Sequence, residues 1–153
     1  MKIAEPKKPF NILLADDDVD DRLLFAKALQ EIEIYTNLVT VNNGETLMNY
    51  LLNEDIQLPH AIFLDLSMPG KTGFECLAEI KEKNKLNNLP IIMYTTSCTR
   101  PINFEDDLKK TLGKMGAQNY IRKPNDFEEL KKIIHQALIK VIEEVEFEPK
   151  ENM

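Results

Sequence analysis

Cysteine is scarce in this chain: Cys76 and Cys98 are the only two among 153 residues. Two thiols cannot build a disulfide framework, and they stand at no metal-ligand spacing, so a reduced compartment is the expected setting. Long hydrophobic runs are missing as well. Apolar stretches last only a handful of residues, too few to span a bilayer. The opening Met1-Lys2-Ile3-Ala4-Glu5-Pro6-Lys7-Lys8-Pro9 is charged and carries no apolar core, so it does not read as a signal peptide. Positive charge is in deficit. Asp and Glu number 26 against 19 Lys and Arg, for a formal charge of -7, and no basic stripe offsets this locally. These absences predict a cytoplasmic protein with neither a nucleic acid nor a membrane among its partners.

What the chain does have is an ordinary globular make-up. Hydrophobic residues at 43% and charged residues at 29% exclude a disordered or fibrous chain. The length suits one domain with a core of its own. No repeat or low-complexity tract interrupts it. We expect a domain over 11–145, between solvated tails at 1–10 and 146–153.

Short apolar runs alternate with amphipathic stretches. Ile12-Leu13-Leu14-Ala15, Leu38-Val39-Thr40-Val41, Ala61-Ile62-Phe63-Leu64, Ile91-Ile92-Met93-Tyr94 and Tyr120-Ile121 read as strands. Most are almost free of polar residues, as strands are when helices cover both faces of a parallel sheet. Between them, apolar residues recur at helical spacing: Leu24, Phe25, Ala28, Leu29 and Ile32; Phe74, Leu77 and Ile80; Phe104, Leu108, Leu112 and Met115; Phe127, Leu130, Ile134, Leu138 and Val141. Glu45 to Leu52 fits a shorter helix. Strand–helix alternation repeated five times predicts an α/β, doubly wound, five-stranded parallel sheet with helices on both faces.

In open α/β sheets, ligands bind beyond the carboxyl ends of the strands. There the sequence places Asp16, Asp17 and Asp18 after the first strand and Asp65 after the third. Thr95 and Thr96 follow the fourth, and Lys123 follows the fifth. Asp16, Asp17 and Asp65 gathered at one edge would repel one another unless compensated. A hard divalent cation such as Mg²⁺, together with the Lys123 ammonium, would supply that compensation. A carboxylate, a metal, a lysine and a hydroxyl are the parts that hold a phosphoryl group in transfer, with Asp65 as nucleophile.

These motifs in this order resemble the receiver domain of two-component response regulators, over about Asn11 to Leu138. The residues that carry the resemblance are Asp16-Asp17; Asp65 with Met68-Pro69-Gly70 and Gly73; Thr95 after Pro90-Ile91-Ile92-Met93-Tyr94; and Lys123-Pro124. The resemblance implies a flavodoxin-like fold and phosphorylation of Asp65 by a sensor histidine kinase or histidine phosphotransfer protein. It implies Mg²⁺ held by Asp17, Asp65 and the Ser67 backbone carbonyl, with Asp16 acting through water. It also implies Lys123 pairing with the phosphoryl group, a cis Lys123-Pro124 bond, and a switch made of Thr95 and Tyr120. With no output domain expected, the chain is similar to stand-alone, chemotaxis-regulator-like receivers that signal through a protein target, rather than to an enzyme acting on outside substrate. Two departures stand out. Ser97 through Lys114 is longer than usual, with Arg100-Pro101-Ile102-Asn103 as the extra loop, and Thr96 stands where many receivers carry alanine.

Plainer readings remain beside these. Asp18, Asp20 and Asp21 are expected to be capping and surface charges, with Asp20 open as the helix N-cap. Gly70-Lys71-Thr72 looks like the end of a phosphate loop, but such a loop requires glycine where Asp65 stands. Two alternative functions stay open: a receiver-fold docking module that works without phosphorylation, and a haloacid-dehalogenase-type phosphatase. The second wants an acid two residues after its nucleophile, where this chain has Ser67.

Overall fold

Parallel strands sandwiched between helices must be apolar on both sides, and the runs 12–15, 61–64 and 91–94 meet that demand at every residue. In the structure, a computed structural model, residues 8–96 and 102–146 are described. The order is β1 (Phe10–Ala15), α1 (Val19–Glu31), β2 (Thr36–Val41), α2 (Gly44–Leu52), β3 (Ala61–Leu64), α3 (Gly73–Glu82), β4 (Ile91–Thr95), α4 (Ile102–Lys114), β5 (Asn119–Arg122) and α5 (Phe127–Glu146). All pairings are parallel, and the strands lie in the order β2-β1-β3-β4-β5. The expected fold class is found. This order reverses direction between β1 and β3, the switch point where doubly wound sheets open a crevice at their carboxyl edge.

Alternate residues of each central strand feed two separate cores. Leu13, Ile62, Leu64, Ile91 and Met93 pack with Leu47 and Leu51 of α2, Leu77 and Ile80 of α3, and Leu112 of α4. Ile12, Leu14, Phe63, Ile92 and Tyr94 face the other way, against Phe25 and Leu29 of α1 and Ile134 and Leu138 of α5. Each such side chain gains roughly 1.5–3 kcal/mol from leaving water, so the strand ends sit on a frame that resists displacement. Phe25, Phe63 and Tyr94 form an edge-to-face aromatic cluster beneath the carboxyl edge, with ring centroids 4.9 to 6.1 Å apart.

Helix starts are fixed locally. Asp18, not Asp20, is the N-cap of α1: its side chain accepts from the Asp21 N–H. The cap is the residue whose backbone is still extended while the next turn is helical, and that is Asp18. Asn43 caps α2 in the same way, and Thr72 with Glu75 forms a reciprocal capping box at α3. That box uses Thr72, so Gly70-Lys71-Thr72 is the entry to a helix and no phosphate loop.

The expected extra loop is corrected in part: Ile102 and Asn103 belong to the first turn of α4. Arg100, Pro101 and Cys98 fall outside the described residues, as do most of the expected tails. Leu24, Phe74 and Phe104 keep the helical period but lie at the exposed margins of their helices. Among the described residues, no helix is long and apolar enough to cross a membrane.

Candidate functional site

The carboxyl end of β1 is stitched to those of β3 and β2 by backbone hydrogen bonds. Asp65 N–H donates to the Ala15 carbonyl at 2.9 Å, and Asp16 N–H donates to the Val41 carbonyl at 3.1 Å. Both aspartates are thereby held at the crevice. Two glycines shape the loop that follows. Gly70 takes φ of +72°, a left-handed conformation that side chains disfavour. A Cβ on Gly73 would run into the backbone of Asp65 and Leu66, so α3 can start against the site only with glycine there. Opposite, Lys123 N–H donates to the Thr95 carbonyl at 2.7 Å, which fixes the β5 exit beside the β4 exit. The Lys123-Pro124 bond is trans, since no cis bond occurs among the described residues. That corrects the expected isomer. The backbone bond from Lys123 to Thr95 sets the lysine in place with a trans linkage, the form that X–Pro bonds ordinarily prefer.

Lys123 is the hub. Its side chain is 7% exposed, and its Nζ lies 2.7 Å from Asp16 Oδ2, 2.9 Å from Asp21 Oδ2 and 3.5 Å from Asp65 Oδ2. The same ammonium sits over the Tyr94 ring, 5.0 Å from its centroid. Asp16 is fully buried and accepts from Lys123 and from the Asp18 N–H, while Arg22 donates to its carbonyl at 2.7 Å. Asp65, 4% exposed, accepts from the Ser67 N–H at 3.2 Å. Asp17 is exposed at the mouth.

Charge here does not balance. Three carboxylates, those of Asp16, Asp21 and Asp65, share a single buried ammonium, and Asp17 adds a fourth beside Asp16 and Asp65. Burial pushes the Asp65 carboxyl up to about 6; Lys123 pulls against that shift and Asp16 adds to it. For Lys123, burial disfavours the charged form, but the bonds it donates to Asp16 and Asp21 and the charge of Asp65 outweigh it and leave the ammonium firmer than ordinary lysine.

Carboxylate oxygens of Asp16, Asp17 and Asp65 lie within 4.8 Å of one another. They are hard oxygen donors in negative excess, a set suited to a divalent cation. The three therefore fit a metal.

Beside this cluster a cleft of about 740 Å³ runs between the β3–α3 loop and α4. Asp17, Ser67, Thr95 and Thr96 form its polar side, with Met68, Phe74, Phe104 and Tyr120 among its apolar residues. Thr95 is buried at the end of β4. Tyr120 donates its hydroxyl to Glu105 Oε2 of α4 at 3.0 Å, and Glu105 also meets Arg122 at 3.7 Å.

The residues singled out from sequence thus meet at one edge, and one more joins them. Asp21, expected to be a surface charge, grips Lys123 from α1. Its only local signal is its place three residues after the cap, in the first turn above the crevice. His60 is structural: its Nδ1 accepts from the Asn11 N–H, and its ring stacks on Phe10.

Comparison with known proteins yields one family. The response regulator receiver domain model matches residues 12–135. Response regulator Rcp1 of Synechocystis sp. is 31% identical over 134 residues, covering 85% of this chain and 87% of that protein. The crystal structure of the phosphorylated cyanobacterial phytochrome response regulator RcpA superposes with a TM-score of 0.73 at 30% identity, over 85% of this chain and 91% of that one. The Mn²⁺-bound form of response regulator Rcp1 gives 0.72 at 30% identity, over 84% and 91%. A crevice ringed by aspartates at the reversal point of the sheet, and a family match running from its first strand into its last helix, agree in making this chain a member of the response regulator receiver domain family.

Proposed function

We propose that Asp65 is the phosphoacceptor of this receiver domain, in a reaction assisted by Mg²⁺, with a sensor histidine kinase or histidine phosphotransfer protein as donor. Phosphorylation on an aspartate is the general function of the family. The observation that supports Asp65 as that aspartate is its position: a buried carboxylate 3.5 Å from the Lys123 ammonium that also holds Asp16, at the carboxyl edge of the sheet.

In the transfer, an Asp65 carboxylate oxygen attacks phosphorus. The bond from phosphorus to the donor's histidine nitrogen breaks, and that nitrogen keeps the electron pair. Asp65 must be ionised to attack. Burial raises its carboxyl to about 6 in the metal-free site, and a cation held beside it would favour the ionised form. Lys123 faces the same carboxylate and offers its charge to the phosphoryl oxygens. Asp17, Asp65 and the Ser67 backbone carbonyl would hold Mg²⁺, with Asp16 through water. Bound there, the ion supplies positive charge that offsets the repulsion between this acidic crevice and an incoming phosphate.

Thr95 would donate its hydroxyl to a phosphoryl oxygen. Its movement would free space for Tyr120 to turn inward, which requires release of the Tyr120–Glu105 hydrogen bond. The face so altered, α4, β5 and α5, would bind a downstream protein target. In this reading the chain works in the cytoplasm as a signalling domain, and its only substrate is its own aspartate. Ser67 two residues after Asp65, in place of an acid, speaks against the phosphatase alternative. The convergence of Asp17, Asp65, Thr95 and Lys123 on one crevice speaks against a docking module, which needs none of them.

With Mg²⁺ and a small acyl phosphate as donor, intact-mass measurement is expected to show one added phosphoryl group. The increment should vanish in Asp65→Asn and on chelation of the metal. An undiminished increment in Asp65→Asn would contradict the assignment.

A further inference from the structure

We propose that Asp21 is a positioning residue that competes with the acceptor site for the Lys123 ammonium, and so sets how readily a phosphoryl group is accommodated on Asp65. The proposal rests on Asp65 as acceptor.

An ammonium offers three hydrogen-bond donors and no more. Lys123 spends two on short contacts, 2.7 Å to Asp16 and 2.9 Å to Asp21, and its reach to Asp65 is the longest at 3.5 Å. The residue that should neutralise the phosphoryl group is thus drawn toward other partners before that group arrives. A phosphoryl group brings about two negative charges and three acceptor oxygens. The third donor, already turned toward Asp65, can meet one of those oxygens; to meet a second, Lys123 must loosen one of its short contacts.

The two partners differ in what loosening costs. Asp16 is fully buried, and a buried carboxylate stripped of its counterion is strongly unfavourable. The Asp21 side chain is 27% exposed, so water can take over its bonds. Asp21 is therefore the partner that yields. Its contact with Lys123 belongs to the unphosphorylated state, and an interaction present in one state alone biases the equilibrium toward that state. A second contribution has the same sign: the Asp21 carboxylate adds negative charge to the crevice that the phosphoryl group enters. Removing that charge relieves both.

The test uses beryllium fluoride, a phosphoryl mimic that binds reversibly, titrated calorimetrically at saturating Mg²⁺. Wild type is expected to bind and Asp65→Asn to fail, which checks the acceptor separately. Asp21→Asn and Asp21→Ala are each expected to bind roughly three- to tenfold more tightly than wild type. Asp21→Glu, which restores the charge, should return to within about twofold of wild type. Loss of a merely structural residue would weaken binding or leave it unchanged, so a gain reversed by glutamate marks positioning. Equal or weaker binding by Asp21→Asn and Asp21→Ala would overturn the proposal while leaving Asp65 in place. Failure of wild type to bind would remove the acceptor reading and this proposal together.

Discussion

Lys123→Met is expected to destabilise the metal-free protein by about 3–5 kcal/mol at neutral pH, the usual cost of stranding a buried charge. Methionine keeps much of the lysine stem's apolar bulk, so packing changes little and the loss is chiefly one of charge. Without the ammonium, the buried Asp16 and Asp65 carboxylates face each other, and Asp16 loses its only ion pair among the described residues. The pH dependence has a definite sign. In wild type, the Lys123 value is raised on folding, so its contribution is full below the ordinary lysine range and fades only as pH climbs through the raised value. At neutral pH it is fully present. In the variant, Asp65 loses the charge that pulls its raised carboxyl down, so it binds a proton still more readily than in the unfolded chain, and acidification removes part of the penalty. The gap between variant and wild type should therefore shrink as pH is lowered from neutral, and Lys123→Met combined with Asp65→Asn should recover part of it at neutral pH. Urea unfolding across pH measures both. A loss that does not vary with pH would show that Lys123 is not compensating the carboxylates.

Asp65→Asn acts in the opposite direction: the metal-free variant is expected to be more stable than wild type at neutral pH by about 1–3 kcal/mol. Burial raises the Asp65 carboxyl from 3.8 to about 6. Between those values the folded protein holds a proton that the unfolded chain has released, so wild-type stability falls as pH rises through the interval. The deficit is complete above about 6. Asparagine does not titrate, so the variant's advantage should grow from about pH 4 to about pH 6 and then level off. Added Mg²⁺ should stabilise wild type far more than the variant, since ligand binding to the folded state is itself stabilisation. Thermal melts with and without the metal test both statements. Equal melting temperatures at every pH would mean that Asp65 carries no electrostatic strain. The acceptor, in this view, is held at a cost to stability that phosphoryl chemistry and a bound cation put to use.

Much of this was legible in the sequence, for identifiable reasons. Ala61–Leu64 is buried at every residue, so an unbroken apolar run marks the whole of β3. β2 and β5 lie at the sheet edges. Only Val41 of β2 and Ile121 of β5 are buried, so their apolar signal covers less than the strands themselves. The site was readable because strand ends in this topology meet at one edge, whatever their separation in sequence. Asp16 and Lys123 stand 107 residues apart and still share a hydrogen bond. Asp21 escaped because nothing nearby distinguishes it from Asp18 and Asp20. Its partner lies 102 residues away, and only the placement of α1 over the crevice brings the two together. The trans Lys123-Pro124 bond was equally hidden, since the two isomers of an X–Pro bond differ by only about 0.5–1 kcal/mol. The period of α4 was visible, but not that its first turn already takes in Ile102 and Asn103.

The central claim is that Asp65 is the residue that carries the phosphoryl group. Borohydride reduces an aspartyl phosphate to homoserine, which leaves a stable mark on the residue that held it. Protein treated with Mg²⁺ and an acyl phosphate, then reduced, digested and sequenced by mass spectrometry, is expected to show homoserine at position 65 and at no other aspartate. Homoserine at Asp16, Asp17 or Asp21 with Asp65 unaltered would contradict the account.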